Sequence, residues 1–227
     1  MGARHPLSRA RRVVVKVGSG LVTTPGEGPS GEAIARLAAD IAALVQERRE
    51  VALVSSGAIA TGVARLGLKA RPRSIPEKQA AAAVGQSALM WEYEQAFKKH
   101  GIPVGQVLLT GQDISDRSRY LNARNTLLAL LEFGVLPVIN ENDTVAVDEI
   151  KVGDNDNLAA LVAHLIDADL VVLLTDVDGL YTGDPRRDPG VRRLETVEAV
   201  TDEIQKMVFD ASAEVSVGGM STKLQAA

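Results

Sequence analysis

Five short aliphatic runs, at residues 13–17, 50–54, 104–109, 135–139 and 170–174, recur along this chain, and the stretches between them read as helices. VVVKV, EVALV and LVVLL are nearly continuous in apolar character. A sheet with one wet face would alternate apolar and polar residues, whereas strands covered on both faces lose that alternation. Continuous runs separated by helices therefore predict a mainly parallel sheet with helices packed on either side. At 227 residues, 46% hydrophobic and only 3% aromatic, the core must be aliphatic, and it is large enough for one α/β domain.

Helical signals fill the gaps. Ile34, Leu37, Ala38, Ile41, Leu44 and Val45 keep a 3.6-residue period after a Gly/Pro-rich turn. Residues 76–100 read as one long helix, opened by Pro76 and stopped by Gly101, with His100 favourable to the dipole at its end. Its small residues at 80–85 suit close helix approach and point to a subunit interface, and so to a homo-oligomer, a dimer or tetramer. A helix over 116–133 is stopped by Gly134 and carries Arg117, Arg119 and Arg124 toward solvent or acids. Leu158, Leu161, Val162 and Leu165 mark the next helix, with His164 off its apolar stripe.

Polar residues gather where the strands stop. Residues 137–158, PVINENDTVAVDEIKVGDNDNL, crowd Asn and Asp around a short segment between strand and helix. Burying such groups unpaired costs several kcal/mol each, so the cluster is either a solvated hairpin tip or the lining of a site for a polar ligand. Ligands of open α/β sheets sit outside the carboxyl ends of the strands, the position where this cluster begins.

Lys16 lies inside the first strand, just before Gly18-Ser19-Gly20. A lysine there is either an edge residue in water or a fixed positive charge for an anion at a ligand crevice. The dinucleotide-binding pattern is excluded, because Thr23 stands where its third glycine belongs and Ser55-Ser56 where its acidic residue belongs. Ser55-Ser56-Gly57-Ala58, at the second strand's end, serves equally as an ordinary cap or as an anion-facing helix start. The last apolar strand ends in Thr175-Asp176-Val177-Asp178-Gly179, with Asp184-Pro185 beyond. Val217-Gly218-Gly219-Met220-Ser221-Thr222-Lys223 lacks the glycine spacing of the Walker motif but shares its physics, close backbone approach and a lysine for phosphate.

The net charge of −4 suggests neither nucleic acid nor an acidic membrane as partner, and the absence of cysteine removes thiolate and disulfide chemistry. Lys16 interrupts the apolar run after the basic start, so no signal-peptide core is present, and no stretch reaches the ~20 apolar residues of a membrane span. These features fit a cytoplasmic enzyme.

Taken together, VVVKVGSG, VSSGAI, AAVGQ, LNARNTL, PVINENDTV, EIKVGDNDNL, LLTDVDGLYTGDP and GGMSTKLQAA resemble the amino acid kinase family, from residue 12 to the last. GDNDNL and GGMSTKLQAA are the most specific in combination, and they point to the branch acting on the side-chain carboxylate of glutamate. The resemblance implies a three-layer α/β/α sandwich with a mainly parallel central sheet. It also implies the reaction of ATP, with Mg2+ held mainly by ATP phosphates, and L-glutamate to ADP and L-glutamyl 5-phosphate, the first step toward proline.

Carried over residue by residue, Lys16 resembles the lysine that contacts ATP and the transferring phosphoryl group, and Lys223 its counterpart from the chain's far end. Asp156 resembles the acid that holds the lysines. Ser56, Gly57, Asp143 and Asn155 resemble the glutamate site, Asp143 pairing with the ammonium. Thr175, Asp176 and the loop Val217, Gly218, Gly219, Met220, Ser221, Thr222, Lys223 resemble the nucleotide site. Val217 replaces a threonine common in the family and removes a hydroxyl from that loop. Sister kinases of other carboxylates, nucleotide monophosphate kinases and a non-catalytic nucleotide-binding domain are the alternatives.

The expected organisation is a flexible arm over 1–10 and a kinase domain over 11–227 that stops within the helix after the glycine loop, with no C-terminal RNA-binding-like module. So short a final helix is marginal without tertiary support, so residues 218–227 should be mobile without nucleotide and Lys223 poorly fixed.

Overall fold

The computed structural model of the protein describes residues 6–146, 155–183, 188, 190–212 and 220–227. The second half of the Asn/Asp cluster up to Asp154, Asp184-Pro185, and Val217, Gly218 and Gly219 of the glycine loop lie outside the described residues.

Pro6–Arg9, expected within a loose arm, form a 3-10 turn, and Ala10 after them is buried. Then follow β1 (Arg12–Val17), α1 (Ser19–Val22), β2 (Thr23–Thr24), β3 (Gly28–Pro29), α2 (Gly31–Gln46), β4 (Glu50–Ser55), α3 (Ala58–Arg65) and α4 (Ile75–Lys98). The second half holds β5 (Val104–Leu109), α5 (Gly111–Ser115), α6 (Arg117–Glu132), β6 (Leu136–Glu141), α7 (Asn155–Leu165) and β7 (Leu170–Leu174). It closes with β8 (Leu180–Tyr181), β9 (Arg193–Leu194), α8 (Asp202–Ser212) and α9 (Met220–Ala226). None of the described helices is long and apolar enough to cross a membrane.

The central sheet has the order β5-β6-β4-β1-β7, and every neighbouring pair in it is parallel. Its two faces follow from the two-residue period of a strand. Val13, Val15 and Val17 of β1, with Val51 and Leu53 of β4, pack on Ile34 and Ile41 of α2 and on Leu89 and Phe97 of α4. Val14, Ala52, Val54 and Ile139 point the other way, onto Leu127 of α6 and Leu158, Val162 and Leu165 of α7. Each fully buried side chain of this kind contributes about 2 kcal/mol of transfer free energy. The continuous aliphatic runs thus have the predicted cause, a helical layer on both faces.

By the same parity Lys16 falls on the face of Val14, toward α7. β1 is an interior strand, flanked by β4 and β7, so the edge-residue reading of Lys16 is excluded. Arg12 and Arg124 donate to the carbonyls of Ile166 and Leu165 at the far end of α7, where cations favour the helix dipole. Arg124 also pairs with Asp167 at 2.6 Å, and Arg119 with Asp113 at 3.1 Å, partners of the expected kind.

One expectation needs correction. β6 was expected to end at Ile139, but it continues to Glu141 because Asn140 and Glu141 keep their register with Leu108 and Leu109 of β5. Of the small residues of α4, Ala81, Ala82 and Gly85 are buried inside the chain, where α4 packs closely on α3, while Ala80, Ala83 and Val84 stay exposed. A Cβ built on Gly85 would lie 1.8 Å from the carbonyl oxygen of Ala58, and one on Gly62 1.8 Å from that of Ala81. Backbones this close leave no room for any side chain, which is why the facing positions are glycine.

Candidate active site

Four strands deliver their carboxyl ends to one cleft. β1 ends after Lys16, β4 leads into Ser56 and Gly57, β6 ends at Asn140 and Glu141, and β7 leads into Thr175 and Asp176. The cleft has a volume of about 440 Å³, within the range of small-molecule sites, and Asp143, Asn155, Arg71 and Lys223 also line it. Eight expected residues therefore meet at one place: Lys16, Ser56, Gly57, Asp143, Asn155, Thr175, Asp176 and Lys223.

Asp156, the second residue of α7, is fully buried, a position that only counter-charges can support. Lys16 Nζ lies 2.6 Å from its Oδ1, and Lys223 Nζ 3.1 Å from its Oδ2. The Thr222 hydroxyl donates to Oδ2 at 3.0 Å. Burial alone would push the carboxyl up, but the hydrogen bonds and charges of Lys16 and Lys223 outweigh it and hold Asp156 below the usual carboxylate range. The first turn of α7 adds a favourable dipole. Asp156 is therefore a carboxylate near neutral pH, and two ammonium groups from opposite ends of the chain are held together by it.

In the C-terminal segment Met220–Ala226 is helical, and Lys223 and Thr222 both hydrogen-bond to the buried carboxylate. Tertiary contact supplies what a seven-residue helix lacks by itself. Met220, Ser221, Thr222 and Lys223 of the expected nucleotide loop belong to this helix.

Beside the lysines lies a polar network. Gly57 caps α3 with φ +113°, a left-handed conformation, and a Cβ there would come within 3.0 Å of Thr23 Cγ2. Its backbone therefore turns tightly beside Ser56 without a side chain entering the cleft. The Asn155 amide donates to the Ser55 carbonyl at 3.0 Å, to Ser56 Oγ at 2.7 Å and to Asn140 Oδ1 at 3.0 Å. Asn140 in turn donates to Gln86 Oε1 at 3.0 Å. Behind this layer the Tyr93 and Ser55 hydroxyls are 2.7 Å apart, and burial pushes the Tyr93 phenol well above its ordinary range.

Sequence reasoning did not single out Asn140, Glu141, Arg71 or Gln86. Gln86 did leave a signal, one long polar side chain on the buried face of α4 between Ala82 and Leu89. Arg71 left none, since it belongs to an irregular segment between α3 and α4 and reaches the cleft only through the path of that loop.

Residues 11–227 match the model of the amino acid kinase family. The chain is 57% identical over 227 residues to a glutamate 5-kinase of Ralstonia pickettii, covering 100% of this chain and 61% of that protein. To a glutamate 5-kinase of Geobacter metallireducens it is 53% identical over 221 residues, covering 97% of this chain and 59% of the relative. The chain thus spans about three fifths of the length of these curated relatives. Among solved structures, the isopentenyl phosphate kinase of T. acidophilum, in a product complex, superposes with a TM-score of 0.55 at 20% identity. That match covers 79% of this chain and 76% of the other, and at such identity it speaks for the fold alone.

Proposed function

The chain belongs to the amino acid kinase family, and we propose that it carries the domain that transfers the γ-phosphoryl group of ATP to the side-chain carboxylate of L-glutamate. The products are ADP and L-glutamyl 5-phosphate, and the reaction opens the route to proline. The observation that carries this reading is the pairing of Lys16 and Lys223 on the buried Asp156, beside a cleft that also holds Ser56, Asp143 and Asn155.

The chemistry asks little of the protein beyond position and charge. A glutamate side chain has a pKa of about 4.3, so it is already a nucleophile at neutral pH and needs no general base. Its oxygen forms a bond to the γ-phosphorus while the bond from that phosphorus to the β,γ-bridging oxygen breaks, and the electron pair leaves with ADP. Lys16 and Lys223 offset charge on the phosphoryl oxygens as the bond breaks. Asp156 keeps both ammonium groups in place before ATP arrives, so little reorganisation remains for the reaction itself. Thr175, Asp176 and the loop from Val217 to Lys223 hold the nucleotide.

Among the described residues, no three carboxylate or imidazole groups converge on a point that could hold a metal. Mg2+ accompanying ATP would supply neutralisation of charge on the departing ADP. Ser56, Gly57 and Asn155 bind the amino acid, Asp143 pairs with its ammonium, and Arg71 meets its α-carboxylate. Arg71 makes no ion pair among the described residues, and it is the cation of the cleft not engaged with Asp156.

The test is incubation with ATP, Mg2+, L-glutamate and hydroxylamine. Acyl phosphate is trapped as hydroxamate, so a glutamate-dependent hydroxamate is expected. ADP formation without hydroxamate would refute carboxylate transfer, and hydroxamate from aspartate or N-acetylglutamate in place of glutamate would reassign the substrate.

A further inference from the structure

Four side chains form a buried relay behind the amino-acid end of the cleft, and its polarity can be read without seeing a hydrogen atom. The backbone N–H of Glu141 can only donate, and it points at one atom of the Asn140 amide at 2.9 Å, so that atom is the oxygen. The backbone carbonyl of Ser55 can only accept, so the Asn155 atom 3.0 Å from it is the NH2. These two fixed points agree with the Asn155-to-Asn140 hydrogen bond at 3.0 Å. The remaining end of Asn140 is an NH2 group, 4% exposed with its residue, and it needs an acceptor. Gln86 Oε1, on a residue 9% exposed, is that acceptor at 3.0 Å.

The polarity reaches the cleft. Asn155 has two amide protons and three acceptors within 3.0 Å, so its donors are occupied by the protein and an acceptor oxygen is what it has left for a ligand. Ser56 Oγ accepts from Asn155 at 2.7 Å, so its own proton is directed elsewhere, as a donor. Both residues line the cleft. One donor and one acceptor set in this order match a carboxylate and an ammonium, the two charges of an amino acid.

We infer that Gln86 is a positioning residue: through Asn140 and Asn155 it sets the donor and acceptor polarity with which the cleft recognises its amino acid. This deepens the function proposed above and rests on it. Without an acceptor at position 86, the Asn140 NH2 is buried unpaired. Turning the amide over to satisfy it would set NH2 against the Asn155 NH2 and the Glu141 N–H. Either way Asn155 loses its register on Ser56.

Three variants of the whole chain test the inference, each read by separate KM values for glutamate and ATP, by kcat and by thermal midpoint. Gln86→Met keeps the length and removes the acceptor, and it should raise the glutamate KM by about tenfold or more with the ATP KM nearly unchanged. Gln86→Asn, a milder change to the core, withdraws the acceptor by one methylene and should show the same split. Gln86→Glu keeps an oxygen facing Asn140 and should restore the glutamate KM to within about threefold of the parent. A parallel rise in both KM values, equal loss in the Glu and Met variants, or no change in the Met variant overturns the inference. A parent chain that makes no glutamate hydroxamate removes the functional reading beneath it, whereas an active parent with unresponsive variants removes the inference alone.

Discussion

The Nζ of Lys16 lies 2.6 Å from Oδ1 of Asp156, and the two side chains are 7% and 0% exposed. They come from the carboxyl end of an interior strand and the first turn of a helix 140 residues later. A buried ion pair is weak evidence of stabilisation in itself, but removing one partner leaves an uncompensated buried charge. The arrangement is thus costly to disturb.

Asp156→Asn should destabilise the fold by about 3 kcal/mol and lower kcat more than either KM, because both lysines lose their anchor together. The pH profile gives a second readout. The folded pKa of Asp156 lies below its unfolded value, so its contribution to stability is complete above the unfolded pKa and is lost as pH falls through the folded one. Denaturant midpoints of the parent should show no loss from this group between pH 7 and about pH 5, then a fall below about pH 4 that the Asn variant lacks. An identical acid slope in both proteins would contradict the assignment.

Lys16→Ala should lower kcat by about 100-fold or more with a smaller effect on the glutamate KM, since the charge it offsets develops in the transition state. A change confined to KM would mean that Lys16 only helps to bind the ground state.

Asp143→Asn should weaken glutamate by about 2 kcal/mol, the low end for a paired charge because Asp143 is half-buried, and should leave ATP binding intact. Glutarate, which lacks the ammonium, is the control. Equal losses for glutarate and glutamate would show that Asp143 does not meet the amine.

Arg71→Met should raise the KM for glutamate by about tenfold while leaving 4-aminobutyrate, which lacks the α-carboxylate, turned over as slowly as before. If both acceptors lose activity equally, Arg71 acts on something other than that carboxylate.

Gly85→Ala should cost about 3 kcal/mol or more, because its Cβ would sit 1.8 Å from the Ala58 carbonyl and force α3 away from α4. Ala58 follows Ser56 and Gly57 directly, so folded protein should also bind glutamate more weakly. Calorimetry checks both, and a midpoint equal to the parent's would mean that the helices separate at no cost.

The layered sheet was legible in the residues because burial on both faces is a local property: VVVKV and LVVLL show it strand by strand, and the helix periods show it turn by turn. Glycine and proline stops set the long helices to within a residue or two, as at Pro76 and Gly101. Once β1 was in place, its two-residue period put Lys16 on the face of Val14. Which helix covers that face, and so which acid meets the lysine, was decided only when β1, α7 and α9 packed together. A charge can be buried only where a distant counter-charge arrives, and no local pattern encodes that meeting. Gln86 and Arg71 differ for the same reason: one is fixed by a buried hydrogen-bond partner 54 residues away, and the other is brought to the cleft by the path of a loop. Asn140 looked like the start of a polar loop because its composition is polar, yet the ladder to β5 carried it into the strand, and the relay to Gln86 and Asn155 satisfied its amide there.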